Sequence, residues 1–202
     1  MMDKTSAKNI SVVFNPVTNS FITFSLLALT DQQLTVNSKI EFSEIANLFA
    51  SGLIILLLFI FVRLGLINSP DISDRRQRSL PLIVAAIGLF IGFLALSFAH
   101  APGLMQGLMW CYATETLLVA IISLWWKISI HTASMACSLV ALTAQFGMVS
   151  LHALFVLPFY LLLLLVGKAR VVLGKHTIAQ VTAGAVLGIL LTAIQLLFFK
   201  FA

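Results

Sequence analysis

His176, His131, Arg170, Arg78 and Lys127 are the residues of this chain whose types could together do chemistry, and the chemistry would be that of a phosphate group. Cations hold the anion, one imidazole attacks phosphorus, and a second protonates the departing oxygen. All five fall in three short polar stretches, Asp74 to Pro81, Lys127 to His131 and Lys168 to Gln180, in a chain that is otherwise largely apolar.

Gln180 follows His176 by four residues, one helical turn, so on a helix that starts near His176 it can accept a hydrogen bond from the imidazole. Such a bond fixes the tautomer and leaves the other ring nitrogen free as a nucleophile. A single histidine at a membrane interface is also commonly a structural residue, so the spacing alone does not assign catalysis. In Lys127-Ile128-Ser129-Ile130-His131 a helix start is expected, and its unpaired N–H groups favour a phosphate. Ser129 can cap that helix or bind a phosphate oxygen. Lys127 can snorkel to the headgroups or pair with substrate. His131 is placed to give up a proton. In the basic loop Asp74-Arg75-Arg76-Gln77-Arg78, Arg75 and Arg76 read as topology determinants touching anionic lipid. Arg78, nearest the next helix, can offer phosphate a two-pronged guanidinium contact.

The elements that must position these residues are membrane helices. Hydrophobic residues make up 60% of the 202 and charged residues 9%, and the mean hydropathy is +1.08. A soluble domain carries about 25% charge. The net charge of +5 sits at the ends of apolar runs, which points to anionic lipid and away from nucleic acid. Apolar runs occupy about 10–30, 45–67, 81–100, 104–126, 132–150, 152–167 and 177–199, separated by Asn68-Ser69-Pro70, Ala101-Pro102-Gly103 and Gly167. Pro158 should kink the sixth run. The first run, with Asn15, Pro16, Asn19 and Ser20, reads as a retained, marginal helix rather than a cleaved signal peptide. The expected fold is therefore all-α, a polytopic bundle of six or seven membrane helices forming a single domain over 1–202, with 1–44 as an N-terminal segment.

If all seven runs cross, the three polar stretches share one side. That side holds Lys4, Lys8, Arg63, Arg75, Arg76, Arg78, Lys127, Lys168, Arg170 and Lys175, against Lys39 and Lys200 on the other, so the positive-inside rule places it in the cytoplasm. His100 and His152 would lie across the membrane from it. Glu115, near the middle of the fourth run, is either protonated and bonded to Thr114, Thr116 or Gln145, or part of a polar path. Gly184 and Gly188 form G-x-x-x-G, read first as packing within the chain and second as a homodimer contact. Cys111 and Cys137 show no metal-ligand spacing, and no P-loop, dinucleotide fingerprint or serine elbow is present.

Arg170, His176 and the helix Val181 to Gly188 resemble the third motif of the type 2 phosphatidic acid phosphatase superfamily, S-R-x5-H-x3-D; Ser129 and His131 resemble its second, P-S-G-H, and Arg78 its first, K-x6-R-P. The resemblance covers about residues 65–190 and implies a phosphatase-like core there. It implies His176 as the nucleophile that forms a phosphohistidine, His131 as general acid, and Arg78 with Arg170 as phosphate-binding residues, with no metal and no cofactor; Lys127, in place of the missing first-motif lysine, and Ser129 are expected to bind phosphate beside them. The substrate it implies is a membrane phospholipid or polyprenyl phosphate, and the setting a bacterial inner membrane. Asp71 stands where the first-motif lysine would be, Ser79 where its proline would be, Ile128 and Ile130 replace the proline and glycine of the second motif, Ala169 the serine and Gln180 the aspartate of the third. Gln180 orients but carries no charge, so a weaker nucleophile is expected. The competing expectations are a non-catalytic relative that binds headgroups or serves as a small subunit of a membrane assembly, and a transporter built around Glu115 and Pro158.

Overall fold

A computed structural model describes residues 2–69, 71–72, 74, 77–147 and 153–200. These residues are 81% helical and contain no strand. Pro70, Arg75, Arg76 and His152, to which the sequence assigned a break, a basic loop and an interfacial site, lie outside the described residues.

The first apolar run is two helices. Asp3 caps α1 (Lys4–Val13) by accepting the Thr5 and Ser6 N–H groups. Asn15 then accepts from Val17 and Thr18 and starts α2 (Pro16–Thr30), with Pro16 in the first turn, where its missing N–H costs nothing. The axes bend by 49° between them. Thr35 caps α3 (Val36–Asn47), which passes through one π turn at Leu48–Gly52 into α4 (Leu53–Arg63). This span thus begins well before the expected boundary at 45. The other helices are α5 (Ser79–Phe98), α6 (Gly103–Ile122), α7 (Ile130–Phe146), α8 (Ala153–Val172) and α9 (Ile178–Lys200). Helix α8 runs through both Pro158 and Gly167, so Arg170 stands on its last turn and not in a loop.

Among the described residues, four spans can cross a bilayer by length and composition: α3–α4 together, α5, α6 and α9; the bent α1–α2 pair would make a fifth. Helix α7, with 17 residues, is apolar but shorter. The chain is an integral membrane protein of helical design.

Its centre is α7, buried on almost every side between α2, α6, α8 and α9. Gly184 and Gly188 let α9 lie directly on it. A Cβ at Gly184 would run into the Ser129 carbonyl and one at Gly188 into that of Ala133. The G-x-x-x-G is therefore occupied within the chain. Polar side chains join the helices in the apolar interior: Asn19 on α2 donates to the Ser134 carbonyl at 3.1 Å and to Ser138 Oγ at 2.6 Å on α7, and Tyr112 on α6 also bonds Ser138. Glu115 is buried on α6 against the Cys137 thiol, while the Thr114 hydroxyl is taken by Gln195 Oε1 at 2.9 Å.

Candidate functional site

The three polar stretches meet at one end of the bundle, joined by direct bonds. Arg78 Nη1 donates to the Ile128 carbonyl at 3.1 Å, tying the first stretch to the second. The Ser129 N–H donates to the Gln180 carbonyl at 3.2 Å, tying the second to the third. Arg170 Nη2 and Nη1 grip Asp71 Oδ1 and Oδ2 at 2.9 and 3.3 Å, tying the third to the loop residue just ahead of the first. The convergence expected from loop parity is thus present, whichever helices cross in full.

His176 sits just before α9, and the start of that helix decides its tautomer. Thr177 and Gln180 form a capping box: Thr177 Oγ1 accepts the Gln180 N–H at 3.3 Å, and Gln180 Oε1 accepts the Thr177 N–H at 3.1 Å. An atom that accepts from a backbone N–H is the amide oxygen, so Gln180 Oε1 must also accept from His176 Nδ1, 3.2 Å away. The Lys127 carbonyl, at 3.2 Å from the same nitrogen, can only accept as well. Nδ1 therefore carries the proton and Nε2 the lone pair. Nε2 is buried and has no hydrogen-bond partner. Burial, followed by the charges of Arg78, Arg170 and Lys127, holds the imidazole down at about 4, so it is neutral at pH 7.

The cations around it are held firmly. Arg78 is 4% exposed, with Nε donating to the Ile72 carbonyl at 2.8 Å, and burial together with the charge of Arg170 brings it down to about 10. Lys127 is half-buried, and burial and the neighbouring arginines depress it too. Arg170 is 1% exposed; beyond Asp71 it reaches Ser11 Oγ on α1 at 2.9 Å, while its Nε is unpartnered. Burial tends to raise the Asp71 carboxyl, but the hydrogen bonds and charge of Arg170 overcome it and leave the group at about 2. Lys175 Nζ stands 3.5 Å from Asp71 Oδ2.

His131, on the first turn of α7, is 8% exposed, and its Nδ1 lacks a partner. Ser129 takes the capping role open to it: fully buried, its Oγ accepts the Thr132 N–H at 3.5 Å. Trp125 and Trp126 are exposed beside Lys127, where a headgroup layer would lie. His100 falls at the far end of α5, about 30 Å along the helix from Arg78. Three participants were missed. Asp71 was read only as a replaced lysine, Lys175 only as a surface charge and Ser11 not at all. Asp71 and Arg170 are 99 residues apart and Ser11 and Arg170 are 159, so no local spacing announces either contact.

A cavity of about 630 Å³ opens onto this end. Ser11, Asn15, Thr18, Asp71, Arg78, His131 and Arg170 supply its polar lining, and apolar side chains of α1, α2, α4 and α5 most of the rest. His176 and Lys127 are not among the lining residues. Among the described residues no group of three or more His, Cys, Asp or Glu could hold a metal ion. The arrangement offers an anion two buried guanidinium groups, and the same charges act on the neutral His176 imidazole nearby. No protein-family model, curated protein or solved structure matches the chain.

Proposed function

We propose that the chain is a membrane lipid phosphatase that works through a phosphohistidine, in the manner of the type 2 phosphatidic acid phosphatases, with a core of six or seven membrane helices. The observation that carries this reading is His176: a neutral imidazole with Nδ1 held by two oxygens and a buried, partnerless Nε2 among three cations.

In this reading Arg78, Arg170 and Lys127 take the charge of the phosphate oxygens. The Nε2 lone pair attacks phosphorus as the bond to the lipid oxygen breaks in line, and Nδ1–H keeps its bonds to Gln180 and Lys127. The leaving oxygen takes a proton from His131; burial and the charge of Arg170 keep that imidazole neutral in the empty site, so the proton comes to it from the bound phosphate monoanion. Water then attacks phosphorus, breaks the P–N bond and returns a proton to His131. Phosphoryl transfer depends mostly on positioning and charge stabilisation, which buried, bonded arginines supply. The reaction needs a protein whose polar end faces the substrate, and the basic residues there favour the cytoplasmic side of a bacterial inner membrane.

Two observations favour a second reading, a headgroup-binding protein without turnover or a subunit of a membrane assembly: Asp71 already occupies one face of Arg170, and the cavity is not lined by His176. Phosphate release by purified protein from phosphatidate, phosphatidylglycerophosphate and a polyprenyl pyrophosphate, beside His176→Ala, separates the two. Release that falls about 1,000-fold or more in the variant fits the enzyme. Folded wild-type protein that releases none gives the site to headgroup binding.

A further inference from the structure

Arg170 faces the cavity with an edge that the chain's own carboxylate already fills. We infer that Asp71 is an internal competitor: it holds Arg170 while the site is empty, an anion binds by taking its place, and Asp71 thereby sets how tightly the site takes any anion. The inference rests on the anion site of the proposed function and adds what regulates it.

A guanidinium pairs with an oxyanion along one of two edges, Nη1 with Nη2 or Nη2 with Nε. Asp71 spans the first at 2.9 and 3.3 Å, and Ser11 Oγ adds a further acceptor to Nη1 at 2.9 Å. On the second edge Nε is buried without a partner, out of reach of a molecule in the cavity. Asp71 and Arg170 both line that cavity, beside Arg78 and His131. A carboxylate and a phosphate present the same pair of oxygens to a guanidinium, so on this edge each excludes the other.

The pair is asymmetric in a way that lets one partner leave. The Arg170 side chain is 2% exposed and stands on the last turn of α8, whereas that of Asp71 is 41% exposed and lies in the loop between α4 and α5. The backbone of that loop is tethered on both sides of the carboxylate. Ser69 Oγ donates to the Asp71 carbonyl at 3.0 Å, and Arg78 Nε donates to the Ile72 carbonyl at 2.8 Å. The carboxylate can therefore turn away by side-chain rotation with its backbone in place. Lys175 Nζ, 3.5 Å from Asp71 Oδ2 and itself exposed, can keep it paired as it turns towards solvent. A carboxylate that served only to hold Arg170 in position would give the opposite sign: its removal would loosen the guanidinium and weaken anion binding.

The test is calorimetric titration of the full chain in detergent with inorganic phosphate as the probe. Wild type is compared with Asp71→Asn and with Asp74→Asn, which removes a charge at an exposed position of the same loop. Asp71→Asn should bind phosphate at least about tenfold tighter, and Asp74→Asn should stay within about threefold of wild type. Phosphate should also raise the melting temperature of Asp71→Asn more than that of wild type, because the anion replaces the missing acceptor. If Asp71→Asn does not fold, wild type carries the test. In infrared difference spectra of protein with isotope-labelled aspartate, saturating phosphate should shift a carboxylate stretching band as Asp71 leaves the guanidinium. Equal or weaker binding by folded Asp71→Asn overturns the inference, as does a gain matched by Asp74→Asn or an unmoved carboxylate band. No binding by any of these proteins overturns the inference together with the anion site beneath it. Binding that tightens in Asp71→Asn, in a protein that releases no phosphate from any lipid, sinks the phosphatase reading alone and leaves the competitor standing.

Discussion

Asp71 and Arg170, 99 residues apart, form a two-pronged ion pair at 2.9 and 3.3 Å in which the arginine side chain is 2% exposed and the aspartate 41%. This contact pins the loop before α5, just ahead of the first polar stretch, to the end of α8. Removing the carboxylate leaves a buried guanidinium short of acceptors. Asp71→Ala should lower stability by about 1–2 kcal/mol, the partial exposure of the aspartate limiting the effect. The check is chemical unfolding in detergent beside wild type. Equal stability would mean that Ser11 and other groups suffice to hold Arg170.

Acid should weaken the fold in a defined window. His176 lies at about 4 in the folded protein against 6.5 when free, so between those values the unfolded chain binds the proton and the folded one does not. Its contribution is fully present above pH 6.5 and is lost as pH falls towards 4. Asp71 adds a second loss lower down, present above 3.8 and gone as pH falls to about 2. Melting temperature measured from pH 7 to 4 should fall in wild type and fall less in His176→Gln. Parallel curves would show that the imidazole does not titrate with folding.

Gln180 has two jobs, and substitutions separate them. Gln180→Ala removes the capping box and the acceptor for His176 Nδ1 together, so stability should drop by about 1 kcal/mol and phosphate release by roughly 10- to 100-fold. Gln180→Glu keeps both acceptors and adds a charge that favours the imidazolium. Its melting should match wild type at pH 7 while the acid limb of the activity profile moves to higher pH. An unmoved limb would place His176 outside the reaction.

Helix α9 meets α7 at Gly184 and Gly188 without room for a side chain, the obstacles being backbone carbonyls of Ser129 and Ala133. Gly188→Ala should therefore cost about 1–3 kcal/mol, because the helices must part to admit the methyl group. Gly184→Ala should do the same and also disturb the site, since Ser129 lies directly beneath it. If both variants melt like wild type but change oligomeric state, the pair packs between chains and not within one.

Lys127 holds His176 through its backbone carbonyl and contributes a charge through its side chain, and the two are separable. Lys127→Ala keeps the carbonyl, so His176 Nδ1 stays bonded while one of three cations is lost. Phosphate release should fall about 10-fold, mainly through KM, with melting nearly unchanged. A large loss of stability would show that the ammonium group is needed for folding.

Composition and periodicity alone determined that this is a helical membrane protein, because an apolar run of about 20 residues has no other stable form in a bilayer. They also placed Arg78, His131, Arg170 and His176 at the ends of runs, where parity could bring them together. The pairing of His176 with Gln180 was legible because one helical turn relates them. Tertiary structure decided what sequence distance conceals. The carbonyls of Lys127 and Ile128 hold His176 and Arg78 through backbone atoms, which no side-chain motif reveals. Asp71, which looked like a lost cation, is a partner for Arg170 and Lys175 because loop closure sets it there. Boundaries failed where capping outweighed hydropathy. Asn15 starts a new helix inside an apolar run, and Thr35 starts one in a polar segment, since satisfying the first N–H groups matters more locally than burying one more apolar side chain.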